Sequence, residues 1–438
     1  MDPLDLAGAA ADAPDRLALL DAAGGLTYRA LHARVRDRVE ALDLHRADRV
    51  MVTPRPARGP VLDLLAGLEA RSTVVLAHPR WTAAERRDAE TRLLPTVVID
   101  PDGRVTRRPP RIHPRRPQLV VHTSGSSGRP KAIALSRPAL VAAAEAHGAH
   151  LPWAAEDRWL LAMPPAHIGG VSILTRCAVA RRTVVLRGKL DLPGLLAAIE
   201  EASVTLLSMV PTTLTRLVEG GISAPPSLRA VLVGGAAASP ALLDAGRALG
   251  WPLHATYGMS EASAQVCTQR EPSEPGCGTP LPGVALRIDA AGEIFVRGPS
   301  LYSHYEPPRW YADPRRDGWY GTGDLGRWRD GGLEVLGRRD DRIVSGGENV
   351  DPIEVEAALE ALPEVAGAVV FGLPDREWGE RVAAAVVLRA PAPTDELRRS
   401  LADRLATYKH PRRWFVVSEL PVTRAGKKDR RGAARRLG

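Results

Sequence analysis

Leu119-Val-Val-His-Thr123-Ser-Gly-Ser-Ser-Gly-Arg-Pro-Lys131 sets a short apolar run directly before a turn of hydroxyl and glycine residues that ends in a lysine. The apolar run reads as a buried strand. In the turn, Gly125 and Gly128 let the backbone come close to a phosphate, and successive N–H groups can form an anion-binding nest. Thr123, Ser124, Ser126 and Ser127 add hydroxyl donors, and Lys131 adds a point charge. The GxxxxGK[ST] spacing is absent and a proline precedes the lysine, which excludes a Walker A loop. On its residues alone the segment is either a phosphate cradle or a Ser/Gly turn. The strand before it and the lysine after it favour the cradle.

Outward from this turn, strand-like runs (residues 183–186, 204–210 and 230–233) alternate with helical ones (192–202 and 240–249). That alternation predicts an α/β fold of parallel-rich sheets flanked by helices. Upstream, apolar residues recur at helical spacing over 28–44, and the Pro- and Arg-rich stretch 101–117 reads as a surface connection. Residues 280–340 are rich in Gly, Asp and short strands, and predict a β-rich subdomain. The stretch 337–341 reads as a charged turn without a core residue. After it come a helix (353–362), strands (365–372 and 381–388), a helix (394–405) and a strand (413–417). This is enough for a small α+β C-terminal domain of about a hundred residues. The expected division is 1–339 and 341–438.

Composition bounds the function. A chain of 438 residues is long enough for two or more lobes. Aromatic residues make up only 4%, so the cores must rely on Ala, Val and Leu. The net charge of +8 comes from arginines interleaved with acids, clustered only over 424–436. Nucleic-acid binders instead gather basic groups into a stripe with stacking aromatics, so no nucleic-acid partner is expected. Three cysteines without a CxxC pair suggest neither a disulfide framework nor a zinc ribbon. No leader pattern opens the chain and no stretch reads as a bilayer span. The expectation is a cytoplasmic protein without a membrane partner, its oligomeric state left open, a homodimer included.

TSGSSGRPK resembles the phosphate loop of the adenylate-forming superfamily, which includes acyl-CoA synthetases, adenylation domains of peptide synthetases and luciferases. Ser127 stands where that pattern usually has Thr and keeps the hydroxyl. Further boxes follow in order, so that the resemblance covers roughly residues 115–430. Tyr257-Gly-Met-Ser-Glu261 resembles the YGxTE box. The resemblance implies that Tyr257 packs on adenine beside Gly258, that Ser260 meets phosphate and that Glu261 holds Mg²⁺, a hard cation suited to carboxylate oxygen. Gly234-Gly-Ala-Ala-Ala-Ser239 resembles the adenine turn, with Gly235 and Ala236 leaving room for the base. Tyr320-Gly-Thr-Gly-Asp324 resembles the ribose box, where one carboxylate accepts from both hydroxyls. Arg338 matches the arginine that also touches ribose. Asp340 falls on the family's hinge position. Gly346 and Gly347 in Ser345-Gly-Gly-Glu-Asn-Val match the stretch beside the pantetheine tunnel. Lys427 in Pro421-Val-Thr-Arg-Ala-Gly-Lys matches the catalytic lysine, with Lys428 as its neighbouring alternative.

The implied activity is ATP-dependent activation of a small carboxylic acid as its acyl-AMP, with Mg²⁺, and transfer of the acyl group to coenzyme A. A basic surface suits such polyanions. His167 resembles the aromatic or histidine gate near the substrate carboxylate, and a satisfied core histidine is the other reading. Arg176 stands in an apolar segment and needs an anion, either an internal ion-pair partner or the substrate. Within the superfamily the chain most resembles the o-succinylbenzoate–CoA ligases of menaquinone biosynthesis. Arg176 would then meet the benzoate carboxylate, and Ser208 would line the same pocket. The alternatives are another aryl- or acyl-CoA ligase and a stand-alone adenylating enzyme that loads a carrier protein.

Overall fold

The computed structural model describes residues 2–109, 115–123, 131–188, 190–307, 313–346, 348–402, 404–423 and 427–438. Two large mixed sheets dominate. In the first, the strands Leu253–Met259, Ala230–Val233, Leu206–Met209, Arg158–Leu160, Thr183–Val185 and Leu17–Asp21 run parallel side by side. Antiparallel strands close both edges: Ala264–Thr268 with Thr279–Pro280 on one side, Gly24–Thr27 on the other. The second sheet has a parallel centre of Leu119–Thr123, Thr73–Leu76, Arg49–Val52 and Val97–Ile99. Its antiparallel edges are Lys131–Leu135 with His304–Glu306, and Val105–Arg107.

The fold is thus α/β with parallel-rich sheets, as the alternating pattern predicts. Strands buried on both faces read as continuous apolar runs, and Val120, Val121, Ile133 and Val231 are all fully buried. Polar residues start the helices between them. Ser136, Asp191 and Ser239 each accept an N–H from the first turn of the next helix, and each is followed by proline in that turn. One large core takes Val50, Leu76 and Val121 from the second sheet and Leu19, Trp159 and Leu232 from the first. Leu31, Leu64, Leu140 and Val171 from the helices Tyr28–Ala41, Arg58–Glu69, Arg137–His150 and Ile168–Ala180 fill the space between. The two sheets therefore share a helical layer.

Ala285–Ile288, Glu293–Arg297, Tyr320–Arg329 and Gly332–Arg338 form a small antiparallel sheet, the β-rich part expected over 280–340. The last strand runs on through Gly337 and Arg338, so the charged turn is shorter than 337–341 and comprises Arg339–Asp341. Two further differences follow from edge positions, where half-exposed strands lose a clear apolar pattern. Leu17–Asp21 and Gly24–Thr27 form a hairpin just before the run read as helical, where no strand was expected, and Val105–Arg107 pairs within the stretch read as a surface connection. Beyond Asp341, Ile343–Ser345, Glu348–Val350, Val365–Asp375, Gly379–Leu388 and Arg413–Val416 make a sheet packed by the helices Pro352–Glu360, Thr394–Leu401 and Arg430–Leu437. Its apolar clusters draw only on residues from 343 onward.

Candidate active site

The carboxyl ends of parallel strands, where open α/β sheets leave a crevice, carry most of the residues singled out in the sequence. Thr123 ends one strand and pairs with Lys131, which begins the next, so the two flank the turn between them. Ser124, Gly125, Ser126, Ser127 and Gly128 of that turn lie outside the described residues, as does Gly347. Ser208 is half-buried near the end of Leu206–Met209. Gly235 and Ala236 follow Ala230–Val233, and Gly235 adopts φ +80°, a left-handed conformation that glycine tolerates. Tyr257, Gly258, Ser260 and Glu261 follow at the end of the neighbouring strand. Gly258 is there for close approach: a Cβ would lie 1.7 Å from the carbonyl oxygen of Ala264.

At the ribose box the carboxylate is held from two sides. The Tyr257 hydroxyl donates to Asp324 Oδ2 at 2.7 Å, and Arg338 Nη1 donates to Oδ1 at 3.0 Å. Burial still raises the Asp324 pKa, against the lowering pull of Arg338, Tyr257 and Lys427. Glu261 Oε1 accepts from the Tyr305 hydroxyl at 3.2 Å, and the Tyr305 and Tyr320 hydroxyls lie 3.2 Å apart. The Lys131 ammonium stands 5.2 Å over the Tyr305 ring. Sequence reading missed Tyr305, since no box contains it and only the pairing of His304–Glu306 with Lys131–Leu135 brings it beside Glu261. Among the described residues no group of three or more His, Cys, Asp or Glu could hold a metal. The Glu261 carboxylate is a hard oxygen donor of the kind suited to Mg²⁺ bound together with a triphosphate.

The two adjacent lysines are separated by their surroundings. Lys428 Nζ pairs with Glu356 Oε2 at 3.0 Å and Glu360 Oε1 at 2.7 Å. Lys427 keeps solvent contact, and its backbone N–H donates to Thr423 Oγ1 at 3.2 Å. Desolvation by the protein around it lowers the Lys427 pKa. Arg338 acts the same way, while Asp324 and Glu261 pull it up. Lys427 is thus within electrostatic range of the ribose carboxylate and of the glutamate near the phosphate loop. Gly346 adopts φ +61°, and a Cβ there would press 2.7 Å from the Trp378 ring. Asp340 lies exposed in the turn Arg339–Asp341, where Arg339 Nη1 reaches Glu293 Oε2 at 2.5 Å.

Of the residues expected to face the acid, His167 and Arg176 lie at the start of one helix and within it, and Ser208 lies on a strand. His167 precedes Ile168–Ala180 without capping it. Burial drives its pKa down to about 4, helped by His78, Lys427 and Arg80. The rings of His78 and His167 are 5.1 Å apart. His78 and Arg80 follow the strand Thr73–Leu76 of the second sheet, and sequence reading missed both, although a carboxyl-end position was their available signal. Arg176 is 3% exposed, with Nε and Nη2 lacking any partner. Desolvation lowers its pKa to about 9, which leaves it charged at neutral pH. Its guanidinium lies 5.5 Å from the Trp159 ring. Among the described residues no ion-pair partner meets it.

Comparison with known proteins adds to this geometry. Residues 96–306 match the model of the AMP-binding enzyme family, and residues 354–427 match that of the AMP-binding enzyme C-terminal domain. A 2-succinylbenzoate–CoA ligase of Bacillus licheniformis is 35% identical, over 72% of this chain and 69% of its own length. The solved o-succinylbenzoate CoA synthetase of Bacillus subtilis in complex with the acyl-adenylate intermediate superposes with TM-score 0.87 at 29% identity, covering 97% of this chain and 96% of that one. A double mutant of the same synthetase bound to a CoA product analogue covers the same shares at 29% identity with TM-score 0.71.

Proposed function

This chain belongs to the AMP-binding enzyme family, and on that premise we propose that it is an ATP-dependent acid–CoA ligase acting on o-succinylbenzoate, a step of menaquinone biosynthesis placed in the cytoplasm. No described helix is long and apolar enough to cross a membrane. A carboxylate is a poor electrophile, and joining it to AMP supplies a good leaving group. In the first step a carboxylate oxygen attacks the α-phosphorus of ATP, the bond to the β-phosphate oxygen breaks, and pyrophosphate departs. Such chemistry needs alignment and charge neutralisation more than covalent help. Lys427 is assigned to the oxygens at the α-phosphorus, Asp324 and Arg338 to the ribose, Tyr257, Gly235 and Ala236 to the adenine. Thr123, Ser260, Lys131 and the turn between Thr123 and Lys131 are assigned to the phosphates. Glu261 would hold Mg²⁺, which supplies charge neutralisation to the triphosphate. His167, kept neutral by burial, borders the reacting carboxylate without competing with Lys427 for it.

In the second step the thiol sulfur of CoA bonds to the acyl carbon, AMP leaves and the thiol proton passes to solvent. We assign Asp340 as the hinge of a two-body chain, 1–339 and 341–438, whose smaller part turns between steps. Rotation would withdraw Lys427 and bring Gly346 and Gly347 toward the thiol. The two Bacillus subtilis structures support this reading, since the synthetase in one complex and its double mutant in another match this chain at TM-scores of 0.87 and 0.71. The arrangement here is closer to the adenylate-bound one.

The observation that carries the choice of acid is Arg176. A buried guanidinium without an anionic partner is costly to keep and calls for a second carboxylate on the substrate. It lies nine residues after His167, about 13 Å along the helix at 1.5 Å per residue. Ser208 is assigned to the same pocket. The test offers o-succinylbenzoate, benzoate and a fatty acid with ATP and either CoA or a holo-carrier protein, and reads thioester mass. Thioester from o-succinylbenzoate and CoA is expected; thioester from another pair alone rejects the assignment. Arg176→Ala should weaken use of the dicarboxylate at least tenfold more than use of a monocarboxylate analogue, on the order of one charged hydrogen bond. Equal losses would remove Arg176 as the anchor.

A further inference from the structure

We infer that His147 is a specificity-determining residue of the acid pocket, presenting a fixed lone pair that holds the bridging water of an Arg176-bound carboxylate. The inference rests on the reading of Arg176 given above. His147 lies in the helix Arg137–His150 and is 1% exposed. Its ring stands 5.1 Å from that of Trp159, the ring over which the Arg176 guanidinium lies at 5.5 Å. Four polar atoms of this group are buried without partners: Arg176 Nε and Nη2, Trp159 Nε1 and His147 Nε2. Native interiors seldom leave such atoms unpaired, and a cluster of them calls for a ligand.

The tautomer of His147 follows from a chain of hydrogen bonds that starts at a backbone carbonyl. The Cys267 carbonyl can only accept, so the Thr256 hydroxyl donates to it at 3.0 Å. Thr256 Oγ1 must then accept from the Thr268 hydroxyl, 2.8 Å away. Thr268 Oγ1 in turn accepts from Gln265 Nε2 at 2.7 Å. This orients the amide so that Gln265 Oε1 faces His147 Nδ1 at 2.9 Å. Nδ1 therefore carries the proton, and Nε2 offers only a lone pair. Three donors, on Arg176 and Trp159, and a single acceptor are then buried around the Trp159 ring. A bare carboxylate satisfies the donors and would face the lone pair of His147 unfavourably. A carboxylate with one water satisfies all four atoms, because the water donates one proton to the carboxylate and the other to His147 Nε2.

Two substitutions separate the ring nitrogens. Asn at 147 keeps a donor near the Nδ1 position but removes the distal acceptor; Gln restores an acceptor near Nε2. Under this inference, His147→Asn raises KM for the dicarboxylate on the order of tenfold, about one hydrogen bond. It leaves kcat, and KM for a monocarboxylate analogue, near their wild-type values. His147→Gln recovers most of the dicarboxylate KM. Equal KM changes for both acids, or an unchanged KM in a folded His147→Asn protein, overturn the inference while leaving the proposed function standing. Absence of dicarboxylate turnover by the wild type overturns both. If His147→Asn does not fold, the ¹⁵N resonance of His147 Nε2 in the wild type decides. It should report an unprotonated nitrogen that shifts on adding the dicarboxylate and not the monocarboxylate. A protonated Nε2 in the free protein, or no shift, overturns the inference.

Discussion

At the nucleotide end Asp324 accepts from both Tyr257 and Arg338, and Glu261 accepts from Tyr305. At the end assigned to the acid, Arg176, His147 and Trp159 bury polar atoms without a partner among the described residues. The first arrangement is complete before any ligand arrives, which is what a site needs if ATP is to be positioned without reorganisation. The second is costly in the free protein, and under the proposed function its polar atoms are satisfied when the dicarboxylate enters. A shared nucleotide can be met by a finished cradle. Discrimination among acids is sharper where the wrong one leaves buried polar groups unpaired.

The largest effect should come from Lys427, which belongs to neither end but bridges them electrostatically. Lys427→Ala is expected to slow pyrophosphate release about 100- to 1000-fold, the scale of losing one preorganised charge-stabilising donor. Transfer from supplied acyl-AMP to CoA should change little. Lys428→Ala removes ion pairs to Glu356 and Glu360 and should lower the thermal midpoint without selecting one half-reaction. If the two lysines exchanged these phenotypes, the assignment of Lys427 would fall.

Asp324→Ala tests the finished end. It strips Arg338 and the Tyr257 hydroxyl of their shared acceptor, so ATP binding and stability should drop together. The expected weakening of KM for ATP is about 10- to 100-fold, from hydrogen bonds to a charged group worth about 1.5–3 kcal/mol. Arg176→Met tests the unfinished end, where the two properties should part. Replacing a buried unpaired cation by an apolar chain of similar length should raise the unfolding free energy of the ligand-free protein by about 1–3 kcal/mol. Use of the dicarboxylate should fall at the same time. A denaturant midpoint that drops in Arg176→Met would mean that the guanidinium is satisfied in the free protein, and the contrast between the two ends would dissolve.

The difference between the ends also explains what the sequence made legible. The boxes around Tyr257, Asp324 and Lys427 are local runs whose glycines and charged residues announce themselves, as with Gly258, where only hydrogen fits against the Ala264 carbonyl. The parallel strands were readable because burial on both faces makes their apolar runs continuous. Tyr305, His78, His147 and Gln265 could not be read in this way. Each is an ordinary residue until a strand pairing or a helix crossing brings it to its partner from far along the chain, 44 residues for Tyr305 and Glu261 and 118 for His147 and Gln265. The hairpin Leu17–Thr27 was missed for a related reason: its first strand pairs with the distant Thr183–Val185, and its second is the exposed edge of the sheet.

The smallest effect tests whether an unpartnered atom beside the nucleotide cradle obeys the rule of the finished end. His122 immediately precedes Thr123; its Nδ1 lies 3.1 Å from the Leu76 carbonyl, its Nε2 is unpartnered, and Trp81 packs edge-on against it. Burial lowers its pKa to about 4, whereas an unfolded histidine titrates near 6.5. Between these values the unfolded chain binds more protons, so stability is full above about pH 6.5 and is lost as pH falls toward 4. At pH 5.5 the loss from this one group is about 1 kcal/mol. His122→Phe keeps the ring beside Trp81 and removes the titration, so urea midpoints measured from pH 7.5 to 5.5 should fall less steeply than in the wild type. KM for ATP should stay unchanged, because the missing partner of Nε2 reflects a cost of burial and no ligand contact is assigned to it. A raised KM for ATP together with an unchanged acid slope would make His122 part of the nucleotide site, and the finished end would then have an open contact of its own.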